Sequence, residues 1–284
     1  MTLQHLPTFF KLLAILLVTG ASSGCTVLAP SPPPIRDVAA RVQALPPLDA
    51  LLLGEQHDNL DHQRIHREVI EALAQRGALS AVVLEMASQG GSTQGLAPQA
   101  SEDQARAALN WDENAWPWLP YAPPIMAAVR AGVPVLGANL PRGQMKQAMA
   151  QADLDQRLNG PALKAQQQLI RSGHCDLLPE HQIQPMTRIQ IARDVAMAAT
   201  LVQAVALSGK TGKTVVLMAG NGHVDKTLGI PQHLPADFRS KSVLFGSGQA
   251  YSASETIANF DWTWPALPVP PKDYCAELKT RIAG

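Results

Sequence analysis

One short pattern occurs twice in this chain, as Gly54-Glu55-Gln56-His57 and as Gly220-Asn221-Gly222-His223. Each copy follows an apolar run, Ala50–Leu53 in the first case and Thr214–Met218 in the second. A glycine at such a place lets the backbone turn and brings the next side chains over the edge of a sheet. A third run, Ala81–Leu84, ends on Glu85, and a fourth, Val133–Leu136, leads into Asn139. Imidazoles gathered with carboxylates can move protons or ligate a divalent metal. Glu55 and Glu85 leave buried strands, where an unpaired carboxylate is costly. Each therefore needs a partner, either one of the histidines or Arg142 or Arg193.

The segment after the first pattern adds His62 and His66, four residues apart and so on one face of a helix. Arg64 and Arg67 share that turn and argue for an exposed surface around His66. A second set lies on a long helix expected over 185–207. There Met186, Gln190, Arg193, Met197 and Thr200 share one side, with Asp194 at its edge. The other side carries Ile191, Val195, Ala198, Ala199 and Val202. The first side reads either as a solvated face or, given its two methionines, as a surface for an apolar ligand or protein.

The elements that must position these residues alternate. Strands are expected at 50–53, 81–84, 133–136, 214–218 and 242–245. Helices are expected at 60–76, 123–131, 142–152 and 185–207, with Gln-rich helical material reaching 172. Continuous apolar strands alternating with helices predict an α/β fold, a mostly parallel sheet with helices on both faces. The stretch 153–207 reads as a helical insertion. Ligands of such sheets bind at the carboxyl ends of the strands, where the residues above collect. Gly209-Lys210-Thr211-Gly212-Lys213-Thr214 has the residue types of a phosphate loop but precedes its strand, and so is rejected.

The 23 basic and 23 acidic side chains balance, and no basic stripe argues for nucleic acid. Residues 1–25 read as a lipoprotein signal peptide. Lys11 precedes the apolar run Leu12–Val18, and Gly20-Ala21-Ser22-Ser23-Gly24 leads to Cys25, the residue to be lipidated, although Ser22 stands where leucine is usual. Residues 26–45, with Pro32-Pro33-Pro34, are expected to be a tether, and 46–284 a single domain. Export permits a disulfide between the remaining cysteines, Cys175 and Cys275.

At its strand-end motifs the sequence resembles the ChaN family of iron-regulated lipoproteins in the haem-binding, Tiki-like superfamily. The resemblance lies in Leu53-Gly54-Glu55-Gln56-His57-Asp58-Asn59 with His62, and in Glu85. It continues in Pro134–Asn139 with Pro141-Arg142, Gly173-His174-Cys175, Arg193-Asp194 with Met197-Ala198, and Ala219–Val224. These run in order over about 50–230. Gln63 departs from the pattern, which often has histidine there.

The resemblance implies haem as cofactor, a homodimer when loaded, and an iron-uptake role in the bacterial cell envelope, lipid-anchored and facing the periplasm. It also implies a tyrosine on the iron. Tyr121, in the aromatic loop Trp116-Pro117-Trp118-Leu119-Pro120-Tyr121, is the first choice, with His57, His62, His223 and Arg193 as further haem-binding residues. Related Tiki-like members imply instead a metal-dependent hydrolase, peptidase or esterase. On that reading His57 and His223 hold a divalent Mn, Zn or Co ion and Glu55 or Glu85 is the general base. Erythromycin esterases, similar in the same motifs, imply histidine and glutamate working without metal. The sequence leaves these chemistries open.

Overall fold

The computed structural model describes residues 37–209, 212–246 and 257–283. Cys25 and the signal segment lie outside them. Six strands form one sheet: β1 Ala50–Glu55, β2 Leu79–Ser88, β3 Val135–Asn139, β4 Thr214–Gly220, β5 Ser240–Gly246 and β6 Trp262–Pro265. Their order is β3-β2-β4-β1-β5-β6, and every pairing is parallel. The α/β class and the parallel sheet are as the sequence predicts. β6 was not anticipated, because Trp262-Thr263-Trp264-Pro265 is short and ends in proline, which an edge strand tolerates.

Strand alternation divides the core. Leu51, Leu53, Val82, Leu84, Val216 and Met218 face one layer. That layer holds α1 Val38–Gln43, α2 Leu60–Gln75 and α4 Trp118–Arg130. Leu52, Val83, Leu217 and Leu244 face α7, Glu180–Leu207, through Met197 and Leu201. A smaller cluster of Leu140, Leu154, Leu158 and Ile191 joins α7 to the insertion, which contains α5 Met145–Ala150 and α6 Gly160–Gly173. Three more helices complete the set among the described residues: α3 Glu102–Ala108, α8 Asn221–Val224 and α9 Tyr274–Ala283.

Several boundaries differ from expectation for physical reasons. Residues 38–43, assigned to the tether, form α1 and bury Val38 and Val42 against the core. Two apolar residues four apart are too little pattern to announce a helix. α4 starts at Trp118, well before the Pro-Pro pair read as its beginning, and carries Pro123 and Pro124 inside it. A proline interrupts backbone bonding, yet burial of Tyr121, Ile125 and Met126 holds this helix to the sheet. The glycines of the two motifs lie at the ends of β1 and β4, and Gly220 has an ordinary φ of −59°. Their use is close approach rather than a left-handed turn. A Cβ on Gly54 would lie 2.6 Å from the Val224 side chain, and one on Gly220 would lie 2.9 Å from His57 Nε2.

Candidate functional site

The carboxyl ends of β1, β2, β3 and β4 deliver a buried charge network. Glu55 ends β1 in direct register with Gly220 at the end of β4. Glu55 Oε1 accepts from His57 Nδ1 at 2.7 Å and from the Tyr121 hydroxyl at 2.6 Å. Its Oε2 accepts from Gln63 Nε2 at 3.2 Å, and the same amide reaches the His57 carbonyl at 3.3 Å. Gln63, the departure from the family pattern, thus anchors both Glu55 and the loop that carries His57.

Glu85 is the second hub. Its Oε2 accepts the Gly220 N–H at 2.7 Å and lies 3.8 Å from His57 Nε2. Its Oε1 pairs with the Arg193 guanidinium and lies 3.3 Å from His223 Nε2. Arg193 Nε also donates to Asn139 Oδ1 at 2.9 Å, and the Asn139 amide donates to the Glu85 carbonyl at 2.9 Å. The other side of His223 is held by Asp194, with Nδ1 to Oδ1 at 2.6 Å. Of the two arginines considered for Glu85, the structure selects Arg193 and leaves Arg142 on the exposed rim.

Electrostatics follow from this geometry. Burial alone would discharge His223, but Glu85 and Asp194 outweigh it and push its pKa up to about 9. Burial likewise opposes the charge on Glu85, yet His223, His57 and Arg193 hold its carboxyl well below the ordinary range. Burial outweighs His223 at Asp194, whose pKa rises. For His57, burial lowers and the Glu55 hydrogen bond with the Glu85 charge raises, with a net rise. Burial and the adjacent Glu55 carboxylate push the Tyr121 phenol far up, so it stays protonated.

The placement of the other expected residues is uneven. His62 is buried, takes the Gln56 N–H on Nδ1 at 2.9 Å, and burial brings its pKa down to about 4. His66 is fully buried against Phe245, where an exposed surface was expected. Arg64 and Arg67 pair along the helix with Asp61, Glu68 and Glu71 instead, away from that imidazole. On α7 the polar side faces the sheet ends and not solvent: Gln190 lies 3.2 Å from His223 Nδ1 and Met197 is fully buried. Asp194 was read as marginal, and its signal was its place beside Arg193. Trp116, edge-on to His57 with centroids 4.7 Å apart, carried no signal beyond its aromatic neighbours.

Chemically, His57 is the accessible member. Its side chain is 38% exposed, and Glu55 fixes which nitrogen carries the proton. Beside it a cleft of about 360 Å³ opens over Glu85, between Trp116, Asn139, Arg142 and Met145. The pair can take or give a proton at Nε2. Among the described residues no three His, Cys, Asp or Glu side chains are grouped to hold a metal ion. His57 and His223, the pair expected to hold a metal, both turn Nε2 toward the Glu85 carboxylate, which also pairs with Arg193.

Residues 41–234 match the family described as haem-binding uptake, Tiki superfamily, ChaN. The chain belongs to this family. The match takes in every strand-end residue described above. Among solved structures the chain is similar to ChaN of Campylobacter jejuni, a structure of cofacial haem binding. Identity there is 24%, over 75% of this chain and 87% of that one, with a TM-score of 0.60. It is also similar to the type III effector HopBA1, at 18% identity over 78% and 88% of the two chains, with a TM-score of 0.44. No curated protein sequence matches. The ChaN-family fold therefore accounts for the parallel sheet and for the order of the motifs along it.

The structure places Cys175, in the turn after α6, in a disulfide with Cys275 on α9, with Cα atoms 5.6 Å apart. Tyr274, next to it, stays 47% exposed. Its hydroxyl donates to Asp58 Oδ2 at 2.8 Å and accepts from Gln56 Nε2 at 2.9 Å. α9 is thereby tied to the two residues that flank His57.

Proposed function

We propose that this protein binds haem in an iron-uptake role at the bacterial cell envelope, anchored by a lipid on Cys25 and dimeric when loaded. The observation that carries the reading is membership of the ChaN haem-binding uptake family over residues 41–234. Haem supplies an iron that needs one or two axial donors and a flat apolar ring that needs cover.

The residues divide sharply in their fit to that group. Within the strand-end cluster the donors are already engaged. Both nitrogens of His57 and of His223 face carboxylates. The Tyr121 hydroxyl is given to Glu55, and that residue is only 2% exposed. Tyr121, the first choice from sequence, is buried and its hydroxyl supports Glu55. At the rim Tyr274 presents an exposed phenol, hydrogen-bonded to Asp58 and Gln56, and His174 a half-buried imidazole. The cluster fits the role of a rigid, charge-balanced floor beneath that rim.

Titration of the purified protein with hemin tests the reading. A saturable Soret shift near one haem per chain is expected, unchanged in Tyr121→Phe. Absence of a saturable shift in the wild type overturns it. For the anchor, Cys25→Ser is expected to release the protein from the membrane fraction, and unchanged fractionation rejects lipidation. Sedimentation with and without hemin tests the dimer, with a doubling of mass expected only on loading.

A further inference from the structure

α6 packs along α7 and buries two side chains, Gln166 and Ile170, four apart on one face. Isoleucine suits that face and glutamine does not. Gln166 is only 5% exposed, yet its side-chain amide makes no hydrogen bond among the described residues. Buried amides in folded proteins are nearly always paired, because an unpaired one has given up water for nothing. Neither the nitrogen nor the oxygen of this amide is sealed inside the fold. The amide instead meets a cleft of about 310 Å³ that Gln166 lines.

His174, at the end of the same helix, lines the cleft as well. Its Nδ1 lies 2.7 Å from the Ile170 carbonyl oxygen. A carbonyl only accepts, so Nδ1 carries the proton and the neutral ring keeps its lone pair on Nε2. No described residue donates to that nitrogen. Leu169, Ile170 and Phe260 supply an apolar wall. Among the described residues no lysine or arginine lines the cleft, and its carboxylate, Asp225, is already held by Thr227 and Asn259. A charged ligand would find no counterion there. Gln190 closes the inner end, 3.2 Å from His223 Nδ1, so the cleft adjoins the strand-end site without being part of it.

We propose that this cleft binds a small neutral amide, with its N–H and C=O paired to the Gln166 amide and its apolar body laid on the wall of Leu169, Ile170 and Phe260. A glutamine side chain presents donor and acceptor in one plane, and a second amide is the group that meets both at once. His174 Nε2 accepts a further N–H of the ligand. At about 310 Å³ the cleft stands at the small end of ligand pockets, with room for one ring and not for a macrocycle. Binding here is independent of haem and does not rest on the haem reading.

The experiment is an NMR titration of the isotope-labelled protein with three probes: benzamide, benzoate and glucose. Benzamide carries the amide on an apolar ring, benzoate keeps the shape but adds charge, and glucose is a neutral polyol. Benzamide is expected to give saturable shifts of the Gln166 side-chain amide and the His174 ring. Benzoate and glucose are expected to bind at least tenfold more weakly. Gln166→Leu is expected to weaken benzamide at least tenfold and to unfold at a temperature equal to or above that of wild type. An apolar side chain of similar size in place of an unpartnered buried amide is neutral or stabilising. A Gln166→Leu protein that is less stable than wild type overturns the proposal, because the amide then serves the fold. Undiminished benzamide binding in that variant overturns it too. The wild type decides without any variant: no saturable benzamide shift, or benzoate or glucose bound as tightly, overturns the assignment.

Discussion

Glu85 Oε1 and His223 Nε2 lie 3.3 Å apart with both side chains almost fully buried, at the ends of strands that are neighbours in the sheet. Neither charge would survive there alone. Glu85 also faces Arg193 and His57, while His223 also faces Asp194. Charges of opposite sign therefore alternate from Asp194 through His223 and Glu85 to His57 and Glu55. Such an array gains most of its stability from completeness, because removal of one member leaves its neighbours uncompensated.

This array predicts a stability that falls in mild alkali. His223 is raised above its ordinary value, so its contribution is full below about pH 6.5 and is lost as pH rises through about 9. A rise of that size corresponds to about 3 kcal/mol as an order of magnitude. Urea unfolding between pH 6 and pH 10 should show a decline across that window in the wild type. In His223→Gln the decline should be much shallower. Equal slopes in the two proteins would place the alkaline loss elsewhere.

Removal of the hub should cost more than removal of any spoke. Glu85→Gln removes the carboxylate that Arg193 and His223 share and leaves His223 with Asp194 alone, a loss on the order of 3–5 kcal/mol. It should also bring the His223 titration down by more than one unit, measurable from its ring proton shifts in NMR. An unchanged His223 titration would show that Asp194 alone sustains its charge.

Much of this was legible in the sequence, and the reason differs by residue. Glu55, His57, Glu85 and His223 stood out because each follows a continuous apolar strand, and parallel strands bring their carboxyl ends together. What the sequence could not reveal was which donor goes to which acceptor. Tyr121 and Trp116 belong to one aromatic stretch of sequence, yet one lies in α4 and supports Glu55 while the other precedes the helix and packs edge-on against His57. His66 looked exposed because arginines flank it, and only helix rotation decides that those arginines point outward. β6 is only four residues long and ends in proline, and α9 docks through specific contacts, the disulfide and the Tyr274 hydroxyl among them.

Tyr121→Phe tests the support role assigned to that phenol. The change removes a buried hydroxyl that donates at 2.6 Å to Glu55 and leaves the ring in place. A loss of about 1–2 kcal/mol is expected, typical of a hydrogen bond to a charged group. The Glu55 carboxyl should titrate at higher pH than in the wild type, since the hydroxyl helps to hold it ionised. A stability equal to that of wild type would remove the phenol from the network.

Gly220→Ala examines the close approach at the end of β4. The added methyl would sit 2.9 Å from His57 Nε2 and 3.5 Å from Glu85 Oε2, so the imidazole must move. His57 is the flexible partner, being partly exposed, and should swing outward while the backbone stays. The expected cost is about 1–3 kcal/mol, the range of overpacked sites. Loss of the Glu85 charge from beside the ring should also lower the His57 pKa from its raised value. A crystal structure of the variant with His57 unmoved would show that the strand end yields instead.

The disulfide carries the last prediction. Cys175 and Cys275 are 100 residues apart in sequence, and closing a loop of that length restricts the unfolded chain by about 4–5 kcal/mol in the entropy model. Cys275→Ser should therefore lower the unfolding free energy by a few kcal/mol, and reduction of the wild type should do the same. The local effect discriminates further. The described part of α9 is tied down by this bond and by the Tyr274 hydroxyl on Asp58, which sits next to His57 in the chain. Hydrogen exchange should therefore quicken both in α9 and in the 56–59 loop when the bond is cut. Tyr274→Phe, with the disulfide intact, should quicken the loop but leave α9 largely protected. Faster exchange confined to α9 in the cut protein would mean that the loop is set by Gln63 and His62 alone.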